Sequence, residues 1–284
     1  MTALTEHKAE VRTLVRDARE RGVRVGLVPT MGAMHAGHAS LLRAARGENG
    51  FVVASLFVNP IQFGPHEDFA KYPRTLEQDL DLCRREGVDL VFAPTPAEMY
   101  PAGFATTIHV AGLGEKMCGG VRPGHFDGVC TVVAKLLEIV QPDVAYFGEK
   151  DAQQLAIVRR MVRDMDLEVE IRGCPLVREP DGLAMSSRNA YLSPDERRQA
   201  LTLSSALAEA RQAIEAGQRS AAAVATQVRR RLEASEGVRL EYAVAVDPDT
   251  LADLTEIKDT VLVAVAARVG KTRLIDNVLL RGLK

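Results

Sequence analysis

The stretch Phe51–Val58 (FVVASLFV) is apolar along almost its whole length rather than on alternate residues. A strand with one wet face alternates with period two, whereas a strand covered on both faces reads as a continuous apolar run. Val23–Thr30 (VRVGLVPT) and Val88–Phe92 (VDLVF) have a related character, and Asp143–Phe147 (DVAYF) and Leu167–Ile171 (LEVEI) follow further along. Between them lie segments with helical patterning: Ser40–Arg46, Thr75–Glu86, a stretch through about Val129–Ile139, and Gln153–Asp164. Strands that alternate with helices build parallel βαβ units. The expectation is an α/β fold with a Rossmann-like, doubly wound parallel sheet.

The pattern changes near residue 175. Pro175–Glu179 and the Asp181–Gly182 turn read as a short hairpin or a crossing loop. Pro194–Ala216 and Ala221–Ser235 are rich in Ala, Arg and Leu and are helical by propensity. Leu240–Val246 and Val261–Ala267 then read as strands, with Arg273–Asn277 a third after the Gly270–Lys271 turn. Helices followed by consecutive strands predict a second, smaller α+β domain. The division expected is 1–175 and 176–284.

Composition narrows the function classes. The chain has 284 residues, a hydrophobic fraction of 46% and no tryptophan, so its core must rest on Leu, Val, Ile and Ala. A formal net charge of -2 gives no whole-chain case for a nucleic-acid or membrane partner. Cys83, Cys118, Cys130 and Cys174 show neither CxxC spacing nor a companion histidine cluster, which predicts free thiols rather than zinc ligands. The opening residues are charged and lack the apolar centre of a signal peptide, and no apolar run is long enough to span a bilayer. A cytoplasmic protein is expected.

The polar motifs cluster where predicted strands end. Pro29–His38 (PTMGAMHAGH) lies between a strand and a helix. Two histidines three residues apart at a helix start can project to one side, Gly37 allows close backbone approach, and a helix N-terminus favours anions. A polar helix entry, with both histidines merely capping, would use the same residues. The motif is neither a Walker P-loop nor GxGxxG. Asn59 and Gln62 follow the second strand in FVNPIQFG and offer neutral donors and acceptors, although Asn59–Pro60 could simply be a turn. Gly148–Asp151, in YFGEKDAQQ, sets a lysine beside a glycine, while Asp151 with Gln154 also resembles a capping box. Met185–Asn189 (MSSRN) carries two hydroxyls and a guanidinium suited to phosphate oxygens, or is a polar loop before the Ser193–Pro194 helix start. Arg122–Phe126 (RPGHF) is basic and turn-like.

Taken together, PTMGAMHAGH, FVNPIQFG, RPGHF, YFGEKDAQQL, MSSRN and the late GKTRLIDN resemble the pantothenate synthetase family in order and approximate spacing, over most of the chain. The resemblance implies a nucleotidyltransferase-type N-terminal domain with a C-terminal lid, an N-terminal-domain homodimer, and ATP with Mg²⁺. It implies a ligase that activates pantoate as an acyl adenylate and transfers it to β-alanine, releasing AMP and pyrophosphate. Carried over position by position, His35, His38, Lys150 and Arg188 would be the catalytic residues. The family offers His38 as a general acid, while charge stabilisation is favoured chemically because magnesium-bound pyrophosphate needs little protonation, and the sequence leaves both roles open. ATP would be held by Met31, Gly32, Ala33, Met34, His35, Ala36, Gly37, His38, Gly148, Glu149, Lys150, Asp151, Val177, Met185, Ser186, Ser187 and Arg188. Gln62, Gln154 and Asn59 would bind pantoate, and Gln62 would also meet β-alanine; the resemblance names no protein ligand for the metal. Met34, Ala36, Asp127 and Glu241 depart from the family's usual residues, and none of them removes a proposed ligand. A cytidylyltransferase would share the histidine motif, and a non-catalytic nucleotide-binding regulator would share the fold. Use of CTP in place of ATP would mark the first, and absence of turnover with β-alanine the second.

Overall fold

The structure, a computed structural model, describes residues 2–65 and 67–283. Two compact units make up the chain: residues 1–149 with 157–175, and residues 150–156 with 176–284.

The first unit is built on six strands, β1 (Ala3–Thr5), β2 (Val25–Thr30), β3 (Phe51–Leu56), β4 (Leu90–Phe92), β5 (Val144–Gly148) and β6 (Glu170–Cys174). Every pairing is parallel and the spatial order is β1-β4-β3-β2-β5-β6. The order reverses beside β2, with β3 on one side and β5 on the other. In a doubly wound sheet this switch is where loops at the strands' carboxyl ends part and leave a crevice. The helices are α1 (Lys8–Glu20), α2 (Ala36–Glu48), α3 (Leu76–Arg85), the short α4 (Pro96–Met99) and α5 (Met117–Val121), then α6 (His125–Val140) and α7 (Ala152–Asp164), of which residues 152–156 fall in the second unit. Val28, Val52, Ala54, Val91, Val144 and Tyr146 join Leu41, Leu42, Leu80 and Cys83 in one cluster under α2 and α3. The intervening Leu27, Val53, Leu90 and Ala145 are buried too, and period-two alternation turns them to the face where α1 and α6 lie. Burial on both faces explains the continuous apolar runs, each Leu or Val contributing about 1.5–3 kcal/mol.

Two strands differ from the expectation. Ala3–Thr5 pairs with Leu90–Phe92 at the sheet edge, and three residues are too few to reveal a period. The last strand begins at Glu170 rather than Leu167 because α7 ends in a Schellman turn. Asp166 has φ 50, its N–H meets Arg163 O at 3.3 Å, and Leu167 N–H meets Val162 O at 3.0 Å. Leu167 therefore belongs to the helix stop.

In the second unit α8 (Pro194–Glu215) and α9 (Ala221–Glu233) cover an antiparallel sheet of β7 (Val238–Val246), β8 (Val261–Val269) and β9 (Thr272–Leu280). Ser193 and Glu196 form a capping box, with Pro194 at the first helical position. Leu203, Leu207, Ile214, Val228, Leu232, Val263 and Val265 form its core. All four cysteines are free and buried. Among the described residues no helix is long and apolar enough to cross a membrane.

Candidate active site

The chain leaving β2 makes a tight, internally braced turn. Thr30 Oγ1 donates to Ser55 O at 2.9 Å and accepts Gly32 N–H at 3.1 Å, tying the exit of β2 to β3. Gly32 (φ 79) and Ala33 (φ 49) are both left-handed, a conformation that strains alanine and not glycine. Asp79 of α3 holds that turn. Its carboxylate, 3% exposed, accepts Ala33 N–H at 3.0 Å, Met34 N–H at 2.7 Å and the Thr75 hydroxyl at 3.3 Å.

The turn delivers His35 to the N-cap of α2. His35 Nδ1 accepts Gly37 N–H at 3.1 Å, and His38 Nδ1 accepts His35 N–H at 3.2 Å. The ring centroids are 4.1 Å apart. The capping use of the histidines is thus real, and it has a chemical consequence. A neutral imidazole whose Nδ1 accepts carries its proton on Nε2. Both rings are fixed in the tautomer whose Nε2–H can donate to an anion at the helix N-terminus.

Asn59, 1% exposed, follows β3. Its Nδ2 donates to Gln62 Oε1 and to Gly128 O, both at 3.0 Å, and its Oδ1 accepts the Tyr100 hydroxyl at 2.7 Å. Asn59 is therefore a support that orients the Gln62 amide with Nε2 outward as donor. Gln62 Nε2 lies 3.1 Å from Met31 Sδ, so the histidine loop and the Asn59–Gln62 loop touch. Burial pushes the Tyr100 hydroxyl well above its ordinary pKa, which keeps it protonated as a donor.

The RPGHF segment locks this second loop. His125 Nδ1 lies 2.9 Å from Gln62 O, and Arg122 Nη1 lies 2.9 Å from His125 Nε2. A carbonyl only accepts and a guanidinium only donates, so His125 is neutral with its proton on Nδ1. Arg122 also grips Glu67 with Nε at 2.6 Å and Nη2 at 2.5 Å. Burial raises the Glu67 carboxyl, but the Arg122 hydrogen bond and charge outweigh it and leave it below the ordinary value. Gly128 completes the lock, because a Cβ there would stand 2.5 Å from Ile61 O and 2.6 Å from Gln62 Cα.

At the end of β5, Gly148 has open space where a Cβ would stand, with no described atom within 4 Å. Glu149–Asp151 is a 3-10 turn running straight into α7, so Asp151 directly precedes the first α-helical residue, Ala152. Gln154 is partly buried in the first turn of α7.

Lys150, Asp151, Val177 and Met185–Arg188 belong to the second unit. Lys150 Nζ is 3.7 Å from Asp151 Oδ2. Val177 and Met185 are cross-linked by Met185 N–H to Val177 O at 3.0 Å, beside the Arg178–Ala184 bridge. Ser186 caps a 3-10 turn over Ser187–Tyr191, its hydroxyl accepting Arg188 N–H at 3.3 Å. Asn189, buried at 7%, donates to Glu179 Oε1 at 2.6 Å and Ala184 O at 3.0 Å and anchors that turn. Among the described residues no group of three or more His, Cys, Asp or Glu is arranged to hold a metal ion.

Sequence reasoning missed Asp79, Tyr100 and Gly128. Asp79 had a signal: it occupies the i+3 position between Leu76, Leu80 and Cys83, on a stripe that should be apolar. Tyr100 and Gly128 had none, since their partners lie 41 and 69 residues away.

A family model described as Pantoate-beta-alanine ligase matches residues 3–279. The pantothenate synthetase of Moorella thermoacetica is 56% identical over 272 residues, covering 96% of each chain. A crystal structure of pantothenate synthetase from Thermus thermophilus superposes with a TM-score of 0.92 at 50% identity, covering 97% of this chain and 98% of that one. That of pantoate-beta-alanine ligase from Francisella tularensis, complexed with beta-gamma ATP and beta-alanine, gives a TM-score of 0.79 at 32% identity over 98% of both. The chain belongs to the pantoate-beta-alanine ligase family.

Proposed function

We propose that the chain joins pantoate to β-alanine in two steps driven by ATP. A pantoate carboxylate oxygen attacks the α-phosphorus of ATP, the bond to the β-phosphate breaks, and pyrophosphate leaves. The β-alanine amine then attacks the acyl carbon of pantoyl adenylate, the bond to AMP breaks, and the amine gives up a proton to solvent. The observation that carries this reading is the contact of Gln62 Nε2 with Met31 Sδ. It supports the reading by bringing an amide donor, able to bind a carboxylate, beside the histidine loop.

In this reading the Nε2–H groups of His35 and His38 donate to phosphate oxygens and stabilise charge that develops during adenylation. Neutral imidazoles suit that role, because pyrophosphate bound to magnesium needs little protonation to leave. Magnesium enters as part of the MgATP substrate. Met31–Gly37, Gly148, Glu149, Asp151, Val177 and Met185 line the nucleotide, and Lys150, Ser186, Ser187 and Arg188 clamp its phosphates. Gln62 and Gln154 hold pantoate, with Asn59 orienting Gln62. Residues 176–284 act as a lid that keeps water from the adenylate. The working form is a cytoplasmic homodimer.

The test is AMP formation from ATP and Mg²⁺ with pantoate, with and without β-alanine. AMP release that requires both acids is the expected result. No AMP from folded protein supplied with both would overturn the reading.

A further inference from the structure

The GKTRLIDN stretch takes no part in that scheme. It lies on β9, where Asp276 and Asn277 are 3% and 6% exposed. Neighbouring residues of a strand face opposite sides, so a buried carboxylate and a buried amide in succession need partners on both faces.

Both partners are present, and both come from segments assigned to the nucleotide. Arg178, which follows Val177, donates to Asp276 through both terminal nitrogens, at 2.8 and 3.0 Å. It also reaches Gly182 O at 3.0 Å and Asn277 O at 3.3 Å. On the other side Asn277 Nδ2 donates to Lys150 O at 2.9 Å, across 127 residues of sequence. Asn277 N–H closes onto Asp276 Oδ1 at 2.7 Å, so the pair is braced internally. Burial pushes the Asp276 carboxyl up, while Arg178, the Asn277 N–H and the charge of Lys150 pull against it. The Lys150 ammonium thus lies within electrostatic reach of the same pair.

A lysine side chain has four rotatable bonds, and the protein can fix only its root. In the three-residue turn Glu149–Asp151 the main chain at Lys150 is that root. We propose that Asn277 is a positioning residue for adenylation, holding the main chain of Lys150 so that its ammonium meets the triphosphate, with the Asp276–Arg178 pair bracing Asn277. This role rests on the phosphate-binding role given to Lys150 above.

The test is a double-mutant cycle on AMP formation, using wild type, Asn277→Leu, Lys150→Ala and both together. Asn277→Leu should lower kcat by about tenfold or more, since small displacements of a charge-stabilising group are costly. The KM for β-alanine should stay within about twofold, because that substrate does not contact Lys150 in this scheme. In the Lys150→Ala background Asn277→Leu should have no further effect beyond about twofold, since its route to the phosphates is gone. Equal losses in both backgrounds would mean a general structural effect and would overturn the proposal. Should Asn277→Leu fail to fold, Asn277→Ser serves in its place, its shorter side chain falling short of the Lys150 carbonyl. A wild type that forms no AMP, or a Lys150→Ala variant as active as wild type, would instead sink the underlying reaction scheme. Full activity in Asn277→Leu with normal Lys150 dependence sinks the positioning role alone.

Discussion

Replacing Asp79 by asparagine keeps the shape of the side chain and removes its charge. In the wild type two carboxylate oxygens serve two backbone donors, Met34 N–H at 2.7 Å and Ala33 N–H at 3.0 Å. Asparagine has one oxygen. If it stays on Met34, its own NH₂ faces the Ala33 N–H, and one bond becomes a clash of donors. Hydrogen bonds to a charged group contribute about 1.5–3 kcal/mol each, so losing one and weakening the other should cost about 2–3 kcal/mol of folding stability. The turn also stores strain: Ala33 at φ 49 is held in a region that costs an alanine about 1–2 kcal/mol. With its restraint weakened the turn relaxes, and His35 is only two residues further on. A shift of about 1 Å in a reacting geometry can lower the rate by about 100-fold. Urea unfolding and AMP formation measured on the same preparation should show both losses while the enzyme stays folded. Adding Ala33→Gly should restore about 1 kcal/mol, because glycine takes this φ freely, and should leave turnover low. Turnover within about twofold of wild type in Asp79→Asn would refute the argument, since the histidines would then hold their place without the carboxylate.

Gly128→Ala forces a Cβ onto the backbone of Ile61 and Gln62. It should cost about 1–3 kcal/mol in urea unfolding, as overpacking does, and raise the KM for pantoate more than that for ATP; an unchanged pantoate KM would disconnect α6 from Gln62. Glu67 titrates below its ordinary value, so its contribution is present above the unfolded carboxyl pKa of about 4.3. That contribution is lost as pH falls through the lower folded value. Carboxyl NMR should find this depressed midpoint and see it rise in Arg122→Gln; a midpoint at or above the ordinary value in the wild type would mean that the pair does not form. His109 is raised, first by its hydrogen bond to Asp127 and then by that carboxylate's charge. Its contribution is full below the unfolded imidazole pKa and fades as pH rises through the higher folded value. Proton NMR should show the His109 midpoint falling in Asp127→Asn.

What the sequence disclosed depended on how far each residue's partner lies along the chain. The strands Val25–Thr30 and Phe51–Leu56 could be read because burial on both faces writes itself into consecutive residues. The histidine loop was legible for a similar reason: its cap, its glycine and both rings fall within four residues. His125 was recognisable only as part of a basic turn, because its partner is a main-chain carbonyl at Gln62 and carbonyls leave no mark on sequence. The same holds for Asn277 and the carbonyl of Lys150. Asp151 and Gln154 are local as well: α7 begins at Ala152, so Asp151 directly precedes it and Gln154 is its third residue, the spacing of a capping box. The sulfur of Met31 against Gln62 could not have been foreseen, since methionine fits many environments.

The strand at the sheet's outer edge has a consequence for how the molecule assembles. Residues 3–5 bond to residues 90–92, whereas the neighbours Val25–Thr30 and Phe51–Leu56 are only 26 positions apart in register. Closing a longer loop costs more entropy and slows the contact. The central pair should therefore form early, and Ala3–Thr5 should be among the last strands of the sheet to dock. Until then β4 presents one bare edge, able to pair with a second copy. Refolding should thus be most prone to aggregation before Ala3–Thr5 seats, and amide exchange in the native protein should be fastest at that strand.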